Sequence, residues 1–206
     1  MKELRLLFRQ VMLEECPLLL RSEPDENWER DWQVMAGEWK QENGWLIGSE
    51  TGNKGGILFS KQSFEGDIIF SFTAKTVLPA TRDVNAVFCA HWDREIDYLG
   101  NAYVIGLNGW YEHKSGIERS PETGLRALTG AYTYTPGKEV RITTGIIDGQ
   151  SFLYADDVLV TELIDPCAIS GGHVGFSPYC TMLAIKDIEV RQAVWKPLVQ
   201  SYEPEF

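Results

Sequence analysis

Apolar residues fall on every second position in several stretches of this chain, and a period of two admits only one kind of regular structure. In "DIIFSFTAK", Ile68, Phe70, Phe72 and Ala74 share one face, while Ile69, Ser71, Thr73 and Lys75 share the other. Successive side chains of a strand point to opposite sides of a sheet, so the pattern predicts strands with one buried and one wetter face. Val84, Ala86 and Phe88 oppose Asn85, Cys89 and His91 in the same way, and Val140, Ile142 and Ile146 oppose Arg141 and Thr143. The later run "MLAIKDIEV" is again extended and rich in β-branched residues.

The punctuation between these runs agrees. Asp148-Gly149 and Asp156-Asp157 divide residues 139–163 into three short strands, which predicts a meander. Gly55-Gly56, Pro136-Gly137 and Gly171-Gly172 mark further turns. Residues 1–20 alone offer a helix, although Leu18-Leu19-Leu20 reads equally as an edge strand. Neither an internal repeat nor a Ser/Gly linker interrupts the 206 residues. The expectation is one domain over 1–206, with 1–26 as an N-terminal extension and 193–206 as a C-terminal tail strapped across it. Many short strands joined by glycine-rich turns make an all-β sandwich of two antiparallel sheets.

A formal net charge of -11 argues against nucleic acid, because phosphate-backbone binding rests on clustered Lys and Arg. Arg5, Arg9, Glu14 and Glu15 interrupt the apolar N-terminal segment too often for a secretory core or a membrane span. Cys16, Cys89, Cys167 and Cys180 lack CxxC spacing, which predicts reduced thiols in a cytoplasm rather than a zinc site.

Two stretches carry a family likeness. One is "DWQVMAGEWKQENGWLIGSETGNKGGILFSKQSFEGDIIFSF"; the other is "EVRITTGIIDGQSFLYADDVLVTEL" with "GGHVGFSPY" and "LAIKDIEV" after it. Together they resemble the concanavalin A-like lectin and glucanase superfamily. More closely, they are similar to bacterial jelly-roll proteins related to the 3-keto-disaccharide hydrolase-like domains and to the YesU-like family of unknown function. The likeness spans residues 27–192. It implies a concanavalin A-like jelly roll in a bacterial protein, with a carbohydrate ligand lying across a concave sheet and its rim loops. It also implies that calcium is the one ion to look for, since several relatives use it, although no cofactor is required.

The window from His91 to Arg119 concentrates the residues such a ligand needs. Aromatic rings offer sugars a flat apolar face, and carboxylates, amides and guanidinium groups satisfy their hydroxyls. Trp92, Tyr103, Asn108, Trp110, Tyr111, Lys114 and Arg119 are therefore the candidate ligand-binding residues, with Glu118 and His91 as candidate acid or base. The competing readings are that the aromatics belong to the core and that Glu118-Arg119 is one half of a rim salt bridge.

The resemblance also implies a test for catalysis. Retaining glucanases of this fold carry E-x-D-x-E or E-x-D-x-x-E on a strand. Glu95 and Asp97 match the first half, but Leu99 and Gly100 stand where the proton-donating Glu belongs. Retention needs two carboxyl groups about 5 to 5.5 Å apart, whereas same-face strand positions are about 6.5 to 7 Å apart at Cα. Asp93, Glu95 and Asp97 have the alternation of a calcium loop but not its glycine or distal Glu. P-loop, GxSxG and HExxH patterns are absent. The readings that stand are a glycan-active hydrolase or lyase in polysaccharide breakdown, a non-catalytic glycan-binding module, and a homodimer that uses the aromatic surface as its contact.

Overall fold

The computed structural model describes residues 2–50, 55–121 and 124–198, except for the side chain of Glu112. Two antiparallel sheets face each other. The seven-stranded sheet runs in the order Arg126–Thr129, Lys114–Ser120, Ala102–Trp110, Val84–Ala90, His173–Phe176, Ile57–Ser60, Trp32–Ala36. The eight-stranded sheet runs Val158–Ile164, Gln150–Ala155, Val140–Ile147, Ile68–Thr76, Thr181–Gln192, Trp45–Glu50, Glu38–Glu42, with Leu18–Ser22 also paired to Thr181–Gln192. This is the all-β jelly-roll sandwich expected from the period-two pattern.

The core lies between the sheets and is built from the faces that the alternation assigned to it. Phe70, Phe72, Ala74, Val84, Ala86, Phe88 and Ile142 are fully buried there. Phe176 sits at its centre, 5.0 Å from Phe72 and 5.5 Å from both Phe70 and Trp32, ring centre to ring centre. Spacings of this kind favour tilted and edge-on aromatic packing. The predicted meander forms as well. Ile147 faces Gln150 across Asp148-Gly149, and Ala155 faces Val158 across Asp156-Asp157. All four turn residues have positive φ, as a two-residue hairpin loop that follows the twist of its strands requires.

Two expectations need correction. Cys89, placed by alternation on the wetter face, has a φ of 48° and turns into the core, since this irregularity near the strand end breaks the period. The N-terminal segment holds no α-helix among the described residues. Glu3–Arg5 and Arg9–Met12 pair with each other, and Arg9–Met12 also pairs with Trp195–Pro197, making a small third sheet. Leu4 and Leu6 alternate rather than recurring every three or four residues, so a strand buries both. They and Val11 cover Ile69, Ile147, Phe152 and Tyr154 on the outer face of the eight-stranded sheet. Leu18–Ser22 is the edge strand that its leucine run suggested. Of the expected tail, residues 199–206 lie outside the described residues.

Candidate functional site

The outer face of the seven-stranded sheet is divided in two. Over one half folds the hairpin made by Trp92–Asp93 and Tyr98–Leu99. Beneath it, Ile57, Phe59, Val87, Ala90, Leu99 and Ala102 form an apolar cluster against which Trp92 and Tyr98 pack. The other half is open, a groove of about 320 Å³ lined by Asp83, Asn85, Tyr98, Val104, Trp110, Glu118, Ser120, Ser177 and Tyr179 among others.

Strand register explains how residues so far apart in sequence meet. Asn85, Gly106 and Gly116 stand side by side across three adjacent strands, and Val87, Val104 and Glu118 form the next row. A Cβ on Gly106 would lie 2.2 Å from Asn85 Oδ1 and 3.1 Å from the Trp110 ring. A hydrogen there instead lets the amide and the indole rest on the strand. Between Gly106 and Trp110 the pairing with Lys114–Ser120 shifts, and Asn108 adopts a φ of 54°. Beyond that irregularity Trp110 reaches the groove, its Nε1 donating to Glu118 Oε2 at 3.0 Å. Arg126 Nη2 approaches the same oxygen at 3.2 Å, so Glu118 is held from both sides.

Asp83 is 2% exposed, and its Oδ1 has no hydrogen-bond partner among the described residues. Burial pushes its carboxyl up to about 7, against the lowering effect of Arg82, whose Nε is 3.9 Å from Oδ2. Asn85 Oδ1 is also buried without a partner. Both oxygens lie within 3.2 Å of the point where a Cβ on Gly109 would stand, so they flank the same side-chain-free space. An unmatched buried acceptor costs about 1–3 kcal/mol, which makes two in one groove a standing demand for donors. Among the described residues, the lining includes no Lys, Arg or His.

Of the residues singled out by sequence, the groove contains Trp110 and Glu118. Tyr103 lies elsewhere: it is fully buried between the sheets, stacks 5.3 Å from Phe88 and donates to Asp165 Oδ2 at 2.7 Å. Arg119 Nη1 donates to the same oxygen at 2.7 Å and to the Cys167 carbonyl at 3.0 Å. Glu118 and Arg119 therefore point to opposite sides of their strand, and each takes an ion-pair partner from elsewhere, Arg126 and Asp165. Asn108 is buried, with Nδ2 donating to the Tyr134 carbonyl and its backbone amide donating to Ser115 Oγ. Tyr111 is exposed on a short 3-10 turn, with Lys114 Nζ 5.0 Å from its ring centre.

His91, Trp92 and Glu95 line a separate depression at the hairpin, with Asp93, Arg94, Gly100 and Asn101. His91 Nε2 lies 3.2 Å from the Gly171 carbonyl, and Trp92 meets Phe59 and Tyr98 at 6.3 Å. Glu95 and Asp97 stand on the hairpin turn rather than on a strand, so the strand spacing of a glucanase pair does not apply to them. Asp93 Oδ1 accepts from the backbone amides of Glu95 and Ile96, closing that turn. Among the described residues, no three acidic, His or Cys side chains converge as metal ligands. Asp83, Asn85, Ser177 and Tyr179 were missed by sequence reasoning. For Asn85 a signal existed, since it is the polar position opposing Val84, Ala86 and Phe88.

No family model matches the sequence. No curated protein matches it either. Among solved structures, a Bacillus subtilis protein of unknown function with a galectin-like fold is similar, at a TM-score of 0.70 and 14% identity over 86% of this chain and 97% of its own. The carbohydrate binding module CBM66 from Bacillus subtilis follows at 0.62 and 15%, covering 79% of this chain and 96% of the module. A Bacillus licheniformis β-glucanase aligns at 0.57 and 10%, over 79% of this chain and 92% of the enzyme. Such identities speak to architecture, and the chain has the jelly-roll fold of the galectin-like and concanavalin A-like lectins and glucanases.

Proposed function

We propose that the open half of the seven-stranded sheet is a carbohydrate-binding groove and that the protein works in polysaccharide breakdown, binding a mono- or oligosaccharide there. The observation that carries this is the pair of acceptor oxygens, Asp83 Oδ1 and Asn85 Oδ1, that have no partner among the described residues and lie in the same groove as the Trp110 ring. Sugar hydroxyls supply donors to such acceptors, and a sugar's C–H face packs on an indole. The printed names of two solved structures of this fold, a carbohydrate binding module and a glucanase, support the same reading. Titration calorimetry with a panel of neutral, amino and acidic oligosaccharides tests it. Binding that falls at least about tenfold in Trp110→Ala, ~1.4 kcal/mol, is the expected result; no heat from any sugar overturns it.

A second reading, a glycoside hydrolase or lyase, is favoured by one contrast. Asp83 is held partly protonated near neutrality, while Glu118 in the same groove is ion-paired, as an acid and its partner carboxylate would be. Against it, Glu118 Oε2 is already engaged by Trp110 and Arg126. Loss of turnover in Asp83→Asn with binding retained would decide for the enzyme. The cytoplasmic location and the homodimer belong to the same proposal. The buried free thiols of Cys16 and Cys89 support the first, and a sedimentation mass tests the second.

A further inference from the structure

We propose that this groove selects a sugar bearing a protonated amine over its neutral, N-acetylated and acidic counterparts, an inference that rests on the groove being a sugar site. Charge decides the class. Among the described lining residues, Asp83 and Glu118 are the acidic side chains, and no Lys, Arg or His stands with them. Glu118 has its cation, Arg126, and its donor, Trp110. Asp83 has less. Its side chain is 3% exposed, the Arg82 Nε that approaches Oδ2 does so at 3.9 Å from a side chain 54% exposed, and Oδ1 meets no donor among the described residues.

Donor count points the same way. Asp83 Oδ1 and Asn85 Oδ1 flank one space above Gly109. A hydroxyl donates one hydrogen, whereas an ammonium donates three and adds the countercharge a buried carboxylate lacks. A uronate in the same place would set a second carboxylate against Asp83, a like-charge contact in a poorly solvated site. An N-acetyl group removes the charge and leaves a single N–H. The Trp110 and Tyr98 rings on the groove wall are compatible with a cation near their faces.

Proton linkage follows. Facing Asp83 in the groove are Arg82 on its own segment, Glu118 with Arg126 behind it, Tyr98 from the hairpin and Tyr179 from the segment after His173–Phe176. The free carboxyl titrates near 7. An ammonium stabilises its charged form, so binding of the ammonium form near neutrality releases protons from Asp83, and affinity for that form rises as pH increases from about 6 to about 7.

The test is calorimetric titration of the protein at pH 7 with glucose, glucosamine, N-acetylglucosamine and glucuronate, and with the short β-1,4-linked oligomers of the first three. Two buffers of different ionisation heat are used, with Asp83→Asn and Trp110→Ala alongside. The expected result is at least about tenfold preference for the amine, buffer-dependent heat reporting proton release, and loss of that preference in Asp83→Asn. Equal or tighter binding of the neutral or N-acetylated sugar overturns the amine selection while leaving the sugar site in place. No heat from any sugar overturns both. The ranking on the unmodified protein decides the outcome even if Asp83→Asn fails to fold.

Discussion

At the scale of single residues, Asp83 carries the sharpest consequence. Its carboxyl is raised from 3.8 to about 7 by burial, so the folded state holds a proton that the unfolded chain has released. The associated stability is complete below about pH 4 and is lost as pH rises through about 7. Asp83→Asn removes that dependence. Its stability gain is expected to be near zero at pH 4 and on the order of 3–4 kcal/mol at pH 8, read from denaturant midpoints at the two pH values. Gly106 is the second such residue. Gly106→Ala forces the Asn85 amide and the Trp110 ring off the strand, and we expect sugar affinity to fall about tenfold or more, by titration, with the fold retained. Neither residue was marked in the sequence. A glycine within "YVIGLNG" acquires its role only once Asn85, some twenty positions earlier, is its cross-strand neighbour.

At the scale of elements, the strand Lys114–Ser120 works on both of its faces. Glu118 serves the groove, while Arg119 and Tyr103 hold Asp165 from inside, securing the turn after Val158–Ile164. Burial pushes the Asp165 carboxyl up, but Tyr103, the Cys167 amide and Arg119 outweigh it and hold it below its ordinary value. Arg119→Ala leaves a nearly inaccessible carboxylate without its cation. The expected loss is about 3 kcal/mol, by chemical denaturation, with sugar affinity unchanged. Glu95→Gln and Asp97→Asn, on an exposed hairpin turn, should change neither stability nor binding measurably in the same assays. The sequence showed these residues as one dense window because it is blind to which face each presents. Strand alternation resolves Glu118 from Arg119, but an irregularity such as that between Gly106 and Trp110 leaves no mark in the apolar pattern. The regular strands were legible for the converse reason. Phe70, Phe72, Val84, Ala86 and Ile142 obey an unbroken period of two, and hairpin turns such as Asp148-Gly149 require positive φ.

At the scale of the whole molecule, the outer faces of the two sheets have different fates. The eight-stranded sheet is partly covered by Leu4, Leu6 and Val11, with Trp195 packed beside them. Deleting residues 2–16 would expose Ile69, Ile147, Phe152 and Tyr154 and leave Trp195–Pro197 without its partner strand. Loss of several kcal/mol of stability is expected at about 25 cal/mol per Å² of apolar surface uncovered, seen as a lowered melting temperature and increased binding of a hydrophobic dye. The seven-stranded sheet keeps half its outer face open. Because Glu3–Arg5 and Trp195–Pro197 lie together on the side of the sandwich away from the groove, an attachment made through either end of the described chain meets the back of the molecule. A chain tethered to a bead or a sensor surface by such a handle would hold its groove toward the solution, so immobilised and free protein should give the same sugar ranking.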